Sequence, residues 1–546
     1  MGWYRDFEIE AAENAPLDPE ATKERRNLIL GLPIYGISAN GLMEENALTE
    51  YFNTPDDKPM LTDGKYASAP DYLDPGYFHF TRGVGRTVIF RLPYLSAVSG
   101  ACVHALKQDE VAARLPRKVD ILVSPNGRDW QKLGTIAEFY CDEPKAQAKA
   151  EITFDKAYKA LYAAFRIDTV GHVWLDELEL FGCTDVSAAA DITAGDKLGA
   201  EINYVNRYPD YSDFLGVHNV LLSYHCAAPE KVGESRLGLI TEEQYLPYVA
   251  YIKDGRIQDT LFDSFLYLPY SNFTYSKWYK CAEGWKYYVN NIFEENCNLQ
   301  ALENTVARVG KELGRPDYKV QVFFSILHTN VRYGDHPDKF GDLDGDGVDE
   351  DMTSLADREK AIKWCIDEQV ARYKAGSYPH CELSAFYWFE EDINYADKYE
   401  FATIAFARDY LHSLGYKLFW IPYFQASGFQ DWKEAGFDIA CMQPNYAFRD
   451  TVPRQRLYDN ARLTKQLGMC YEMEIGGFDA HHVDKFRDYM DCGAETGYMH
   501  SVKMYYQGGV PGEFYRAYKS EDPSLHALYD DLYAYCKEKY VSRRDR

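Results

Sequence analysis

The sequence predicts a multidomain protein, an all-β sandwich over residues 27–185 followed by a (β/α)8 barrel over residues 216–546. Three observations carry this. The first part is written in short runs of β-branched and aromatic residues, punctuated by Gly, Pro, Asn and Asp, with little helical periodicity. The second part alternates apolar runs, of the kind buried on both faces of a parallel sheet, with amphipathic helical stretches. No G-x-G-x-x-G or P-loop follows any of those runs, which disfavours the open doubly wound sheet that the same alternation also builds.

Residues 1–26 read as an N-terminal extension. The opening MGWYRDFEIEAAENAPLDPE lacks the basic stretch and apolar run of a signal peptide. A cytoplasmic location is expected if Met1 is the native start, with a periplasmic or secreted protein stripped of its signal as the alternative. In the sandwich, RNLILGLPI, GRTVIFRLP, KVDILVSPNGRDWQKLG, YAAFRID and HVWLDELELFG supply strands, and Asn126-Gly127 turns the third of them into a hairpin. LTDG at Leu61–Gly64, this hairpin and the closing strand Trp174–Gly182 resemble the discoidin-like (coagulation factor type C) sandwich. The resemblance implies a galactose-binding-type fold that includes many carbohydrate-binding modules. Residues 186–215, small, polar and aperiodic, read as a linker.

From Val217 onward the eight strand-like runs are residues 218–226, 262–270, 319–330, 383–392, 416–425, 437–446, 468–477 and 497–509. DREKAIKWCIDEQVARYKAG and DKYEFATIAFARDYLHSLG place apolar residues at i, i+3/i+4 and i+7 and end on Gly. VPRQRLYDNARLTKQLG has Pro near its start and Gly at its end, the usual helix punctuation.

Fifty-nine Lys and Arg against 85 Asp and Glu leave a net charge of −26. That field repels phosphate backbones and anionic lipid, so no nucleic-acid partner is expected, and a neutral or cationic ligand is easier to accommodate. No run approaches the length of a membrane span, so no membrane insertion is expected either. Aromatic residues reach 15% of the chain, which suits either stacking on sugar rings or a Tyr-rich core. Twelve cysteines without CxxC pairs read as buried thiols rather than as a zinc site or a disulfide framework.

Barrel active sites form at the C-terminal strand ends. The candidates there are Tyr224 and His225, Tyr270, His328 and Asn330, Trp388 with Glu390 and Glu391, then Trp420, Tyr423 and Gln425. Gln443, Asn445 and Tyr446 end run six, Glu472 and Glu474 end run seven, and Lys503, Tyr505 and Gln507 end run eight. Such a polar, aromatic rim suits a polyhydroxylated ligand, a carbohydrate. Trp388, Trp420 and Tyr423 stand equally as stacking platforms or as core.

The carboxylates are the specific signal. Hydrolysis of a glycoside needs two carboxyl groups astride the scissile bond, about 5–5.5 Å apart for retention and about 6.5–9.5 Å for inversion. One must stay protonated while the other stays ionised. Glu472 and Glu474 share one face of their strand, because side chains alternate, with Met469, Tyr471, Met473 and Ile475 turned to the helices. The alternatives are pairing of these glutamates with Lys503 or backbone groups, and a helix cap for Glu390-Glu391-Asp392. G-x-S-x-G is absent, so Ser325 makes no nucleophile elbow, and His481-His482 reads as a surface pair.

An acid/base after strand four and a nucleophile ending strand seven resembles the retaining glycosidases of the clan A type barrel. That resemblance implies Glu390 or Glu391 as acid/base, Glu474 as nucleophile and Tyr446 as the nucleophile's hydrogen-bond partner; Phe389 stands where that clan usually carries Asn. With FGDLDGDGVDEDM and FYWFEED, the whole chain looks like the bacterial domain-of-unknown-function family 4855, which is grouped with glycosidase barrels. The expectation is a retaining glycoside hydrolase acting on the O-glycosidic bonds of a neutral or complex glycan. The alternative is a non-catalytic glycan-binding protein on a barrel scaffold.

A second motif begins at Asp342. Asp342, Asp344 and Asp346 stand at loop positions one, three and five, Gly347 at six, the Val348 carbonyl at seven and Glu350 at nine. Four aspartates in eight residues repel one another without a cation. The loop resembles an EF-hand or dockerin calcium loop, with Thr353 where the twelfth position usually carries Glu. It implies a structural Ca2+ on Asp342, Asp344, Asp346, Val348 and Glu350 that stiffens the connection between runs three and four.

Overall fold

The computed structural model describes residue 9 and residues 11–544, except 39–60, 81–85, 112, 138, 140, 142, 169–172, 199–204, 233–235, 330–339, 395–396 and 425. The chain forms two compact units. One is Met1–Asn203 with Ile393–Lys398 and Gln425–Gln430; the other is Tyr204–Asp392, Tyr399–Phe424 and Asp431–Arg546.

The first unit is built from β1 (Arg26–Asn27), β2 (Gly36–Ser38), β3 (Phe78–Phe80), β4 (Arg86–Gln108), β5 (Lys118–Ser124), β6 (Gln131–Ile136), β7 (Lys145–Asp168) and β8 (Val173–Cys183), all paired antiparallel. β4 and β7 run 23 and 24 residues, and their register breaks between Arg91 and Ser96 and between Val98 and Gly100. Such irregularities bend a strand, so the one eight-stranded sheet turns back on itself along this long pair. The start of β4 lies between β2 and the end of β7, beyond which come β5 and β6; the rest of β4 lies between the start of β7 and β8. Val88, Phe90, Ile121 and Phe165 of one half meet Val103, Phe154, Leu178 and Leu180 of the other in one core, the packing of a sandwich.

The strand expected in RNLILGLPI shrinks to β1, because the chain turns at Gly31, whose φ is +72°. The β5–β6 hairpin turns at Asn126-Gly127, where the Asn126 side chain accepts the backbone N–H groups of Arg128 and Asp129. In the LTDG loop the Gly64 N–H donates to Glu177, whose burial pushes its carboxyl up to about 8.

The second unit opens with β9 (Asn219–Cys226), followed by a hairpin of β10 (Ala250–Lys253) and β11 (Arg256–Thr260). Then come β12 (Ser264–Pro269), β13 (Val320–Ile326), β14 (Cys381–Trp388), β15 (Lys417–Trp420), β16 (Ile439–Met442), β17 (Cys470–Glu474) and β18 (Lys503–Tyr506). β9 and β12 to β18 are parallel neighbours, and β18 pairs back with β9, so the sheet closes as an eight-stranded parallel barrel and the open-sheet alternative is excluded. Helices follow the strands, among them Leu355–Ala375, Glu400–Ser413, Gln455–Leu467 and Ala480–Thr496. Among the described residues no helix is long and apolar enough to cross a membrane. All twelve cysteines are free thiols.

The barrel interior sets the register of everything above it. Leu222, Leu266, Leu268, Phe323, Ala385, Tyr387, Phe419, Ile439, Cys441, Cys470 and Met504 share one core. Phe214, inside the stretch expected as a linker, joins that core with its ring 5.7 Å from Phe323 and 5.5 Å from Phe419. Side chains alternate along a strand, so residues two steps beyond these face the barrel mouth and their neighbours face the helices.

Candidate active site

The inward register brings three carboxylates to one cavity. From Tyr387 it runs through Phe389 to Glu391; from Cys470 it runs through Glu472 to Glu474; from Met504 it reaches Tyr506. Glu391, Glu472 and Glu474 line a cavity of about 160 Å³ together with Tyr224, Tyr387, Gln443, Phe448 and Tyr506. A wider cleft of about 390 Å³ shares Tyr224, Leu268 and Glu391 and adds Glu390, Phe389, Tyr279, Lys280 and Tyr423.

The three carboxyls have different surroundings. One oxygen of Glu474, Oε2, accepts the Tyr489 hydroxyl at 2.6 Å and the Asn445 backbone N–H at 2.8 Å. Asn445 presents that N–H from a left-handed backbone, φ +55°. Glu472 is 2% exposed, and its buried Oε2 has no hydrogen-bond partner. Burial pushes both glutamates up, Glu474 to about 8; the Glu474 charge raises Glu472 further, and the Glu391 charge bears on both. Only Glu474 receives donors that favour the charged form, so the proton of the pair resides on Glu472 and Glu474 ionises first. Glu391 opens onto the cleft, yet protein surrounds it closely enough that poor solvation pushes its carboxyl up to about 7, against a hydrogen bond from Gln443. A group at that value is about half protonated at neutral pH and can both give up a proton and take one back.

Several sequence candidates lie elsewhere because they fall on the outward register. His225 is buried between the rings of Tyr267 and Tyr288, where burial drives it down to about 3. His328 meets Glu400 through Nε2 at 3.1 Å and lies edge-on to Trp388, which is core. Glu390 turns toward His328, 3.9 Å from Nδ1, and borders only the wider cleft. Trp420 is core as well: it stacks on Phe437 and donates Nε1–H to the Glu390 carbonyl at 2.7 Å.

Lys503 begins β18 rather than ending it, and its ammonium donates to the Met499 and Ser501 carbonyls at the far end of the barrel; burial lowers it to about 8. Tyr505 donates to Asn219, and Gln507 accepts the Tyr248 hydroxyl, both away from the cavity. Tyr270 packs beside Tyr224, rings 5.4 Å apart, without lining the cavity. Tyr423 borders the wider cleft, Gln443 the inner cavity, and Asn330 and Gln425 lie outside the described residues.

Tyr446 donates to Asp488, so the hydroxyl that holds Glu474 comes from Tyr489 on the helix Ala480–Thr496. Tyr387 and Tyr506 were legible from alternation once the inward residues of β14 and β18 were known. Tyr489 carries no signal in the strand pattern. Tyr489→Phe removes a donor to the ionised form of Glu474, so its carboxyl rises further and the charged fraction at a given pH falls. The expected result is a lower kcat and an acidic limb of the pH–rate profile moved to higher pH. A profile superimposable on the parent's refutes this role for Tyr489.

The acidic loop follows β13. Asp342, Asp344 and Glu350 each place a carboxylate oxygen within 4.8 Å of the others. Gly345 and Gly347, at φ +84° and +87°, turn their N–H groups onto Asp342 and hold its carboxyl below the usual range. The Lys360 ammonium reaches Asp344 at 3.1 Å and both Asp346 and Glu350 at 2.8 Å. An all-oxygen donor set of this kind suits a hard divalent cation, and Lys360 stands in the same field.

Among solved structures, CpGH89CBM32-6 from Clostridium perfringens is 13% identical, covering 29% of this chain and 99% of its own, with TM-score 0.20. The CBM22-1–GH10 modules of Clostridium thermocellum xylanase 10B, complexed with xylohexaose, are 12% identical over 81% of this chain and 86% of theirs, with TM-score 0.29. Cellvibrio japonicus xylanase 10C, in complex with xylopentaose, is 10% identical over 85% and 88%, with TM-score 0.27. No curated protein matches the sequence. The model of the family described as domain of unknown function DUF4855 matches residues 228–534, more than half of the chain, including seven of the eight barrel strands and the three carboxylates, and the protein belongs to that family.

Proposed function

We propose that this protein is a retaining glycoside hydrolase on a (β/α)8 barrel, cleaving O-glycosidic bonds of a glycan, with Glu391 as acid/base and Glu474 as nucleophile. The observation that carries this reading is a single cavity in which Glu391, open to the wider cleft, faces Glu474, the one carboxyl there whose charged form is favoured by donors from Tyr489 and Asn445. The Glu474 carboxylate attacks the anomeric carbon while the Glu391 proton passes to the departing oxygen. A covalent glycosyl ester forms on Glu474. Glu391, now ionised, takes a proton from water, whose oxygen attacks the same carbon and releases the Glu474 carboxylate. Tyr224, Tyr387 and Tyr506 supply ring faces for the sugar, Gln443 holds Glu391, and the wider cleft receives the leaving group.

The test is a panel of aryl glycosides and oligosaccharides, with the first-formed anomer followed by NMR. Release of the sugar with its starting anomeric configuration is expected. Inverted product rejects the covalent route, and tight binding of a glycan without any release favours the non-catalytic scaffold. In the same reading residues 27–185 act as a carbohydrate-binding module ahead of the barrel of residues 216–546.

The Asp342–Glu350 loop is proposed to take Ca2+ on Asp342, Asp344, Asp346, the Val348 carbonyl and Glu350, where the ion supplies rigidity rather than chemistry. Calcium competes there with Lys360. Calorimetric titration should show binding that tightens in Lys360→Met, with a melting temperature that rises on adding calcium. At about a hundred times Kd the gain is roughly 2.7 kcal/mol. No heat of binding in either protein leaves Lys360 as the loop's counter-ion and ends the calcium assignment.

A further inference from the structure

Double displacement uses two carboxyls, and the inner cavity holds three. The third, Glu472, is 2% exposed, lines the cavity, and leaves its buried Oε2 without a hydrogen-bond partner. A buried polar atom left unmatched is costly, which makes it a socket for something the protein itself does not provide. Among the described residues lining this cavity there is no Lys, Arg or His. The charges that bear on Glu472 come from the carboxyls of Glu474 and Glu391, whereas the guanidinium of Arg456 bears on Glu474. The walls include Tyr224, Tyr387 and Tyr506, whose ring faces attract cations. The cavity, about 160 Å³, is below the roughly 300–1,000 Å³ of pockets for larger ligands, so it suits one sugar unit without a bulky acyl group. The chain's net charge of −26 draws cations toward it.

We propose that the barrel acts on glycosides whose sugar carries a free primary amine, and that Glu472 receives the ammonium group. This rests on the glycosidase reading of the same cavity. In the free protein Glu472 keeps its proton. When an ammonium ion enters, that proton leaves to solvent and the carboxylate pairs with the cation, so the net charge of the cavity stays as it was and Glu472 gains a charged partner. A hydroxyl in the same place satisfies one lone pair, forms no ion pair and leaves Glu472 protonated.

Two measurements test this. In the first, kcat/KM is compared for glucosamine and galactosamine oligosaccharides, their N-acetylated forms and the matching neutral hexose oligosaccharides, in the parent and in Glu472→Gln. The parent should prefer the amine by on the order of 30-fold or more, and the variant should lose that preference. In the second, binding of the same sugars to Glu474→Gln is followed by calorimetry, which needs no turnover. Amine-dependent binding without hydrolysis of any glycan by the parent supports the Glu472 socket and overturns the hydrolase. Equal turnover of neutral or N-acetylated sugars overturns the socket and leaves the hydrolase standing. Binding of Mn2+ or Ca2+ that disappears in Glu472→Gln also overturns it.

Discussion

Glu474→Gln should abolish turnover, by on the order of 10³-fold or more, while the melting temperature stays at or above the parent's. The side chain keeps its shape and both donors remain, but the amide cannot form the glycosyl ester. Glu391→Gln should cost about 10²–10⁴-fold on substrates with poor leaving groups and much less on activated aryl glycosides, which depart without a proton. Azide separates the two roles. In Glu391→Ala it attacks the glycosyl ester in place of water and yields a glycosyl azide of the starting configuration. In Glu474→Ala it enters from the face the nucleophile vacated and yields the inverted azide. A Glu390→Gln variant as impaired as Glu391→Gln would transfer the acid role to the residue beside His328, and unchanged turnover in Glu474→Gln removes the proposed mechanism altogether.

Trp420→Ala should be the most damaging substitution away from the cavity. The indole is fully buried, stacks on Phe437 with ring centroids 5.0 Å apart, and donates to the carbonyl of Glu390. Its loss opens a large void and should cost about 3–5 kcal/mol, read from urea denaturation. The hydrogen bond also fixes the backbone from which Glu391 enters the cavity, so turnover should fall with stability. Trp420→Phe keeps most of the packing and drops the donor, for roughly 1 kcal/mol. If it restores stability but not kcat, the indole N–H positions the acid. If both recover together, Trp420 serves packing alone.

The barrel's strands were legible because a strand covered on both faces has to be apolar throughout, and each of the eight apolar runs holds all or most of one barrel strand. Continuous apolarity hides the register for the same reason. Along GYMHSVKMYYQGG nothing distinguishes inward from outward, so Lys503, Tyr505 and Gln507 were as good candidates as Tyr506. In β17 the alternation of Glu with Tyr and Met exposed the pattern, and there Glu472 and Glu474 were readable as a pair. The acidic loop was readable too, since its spacing is local, but the arrival of Lys360 from the helix Leu355–Ala375 was not.

Local pattern alone determined two kinds of architecture in one chain, the place of each barrel strand, and the two stretches that carry acidic side chains to the barrel mouth. Which of two adjacent glutamates enters the cavity, and which hydroxyl holds Glu474, only the tertiary structure decided. Closure of the ring sets the inward register, and Tyr489 reaches Glu474 from a helix 15 residues further along the chain. Charge state followed the same division: composition names the carboxyls, but their burial, their donors and their distance from any cation assign the protons.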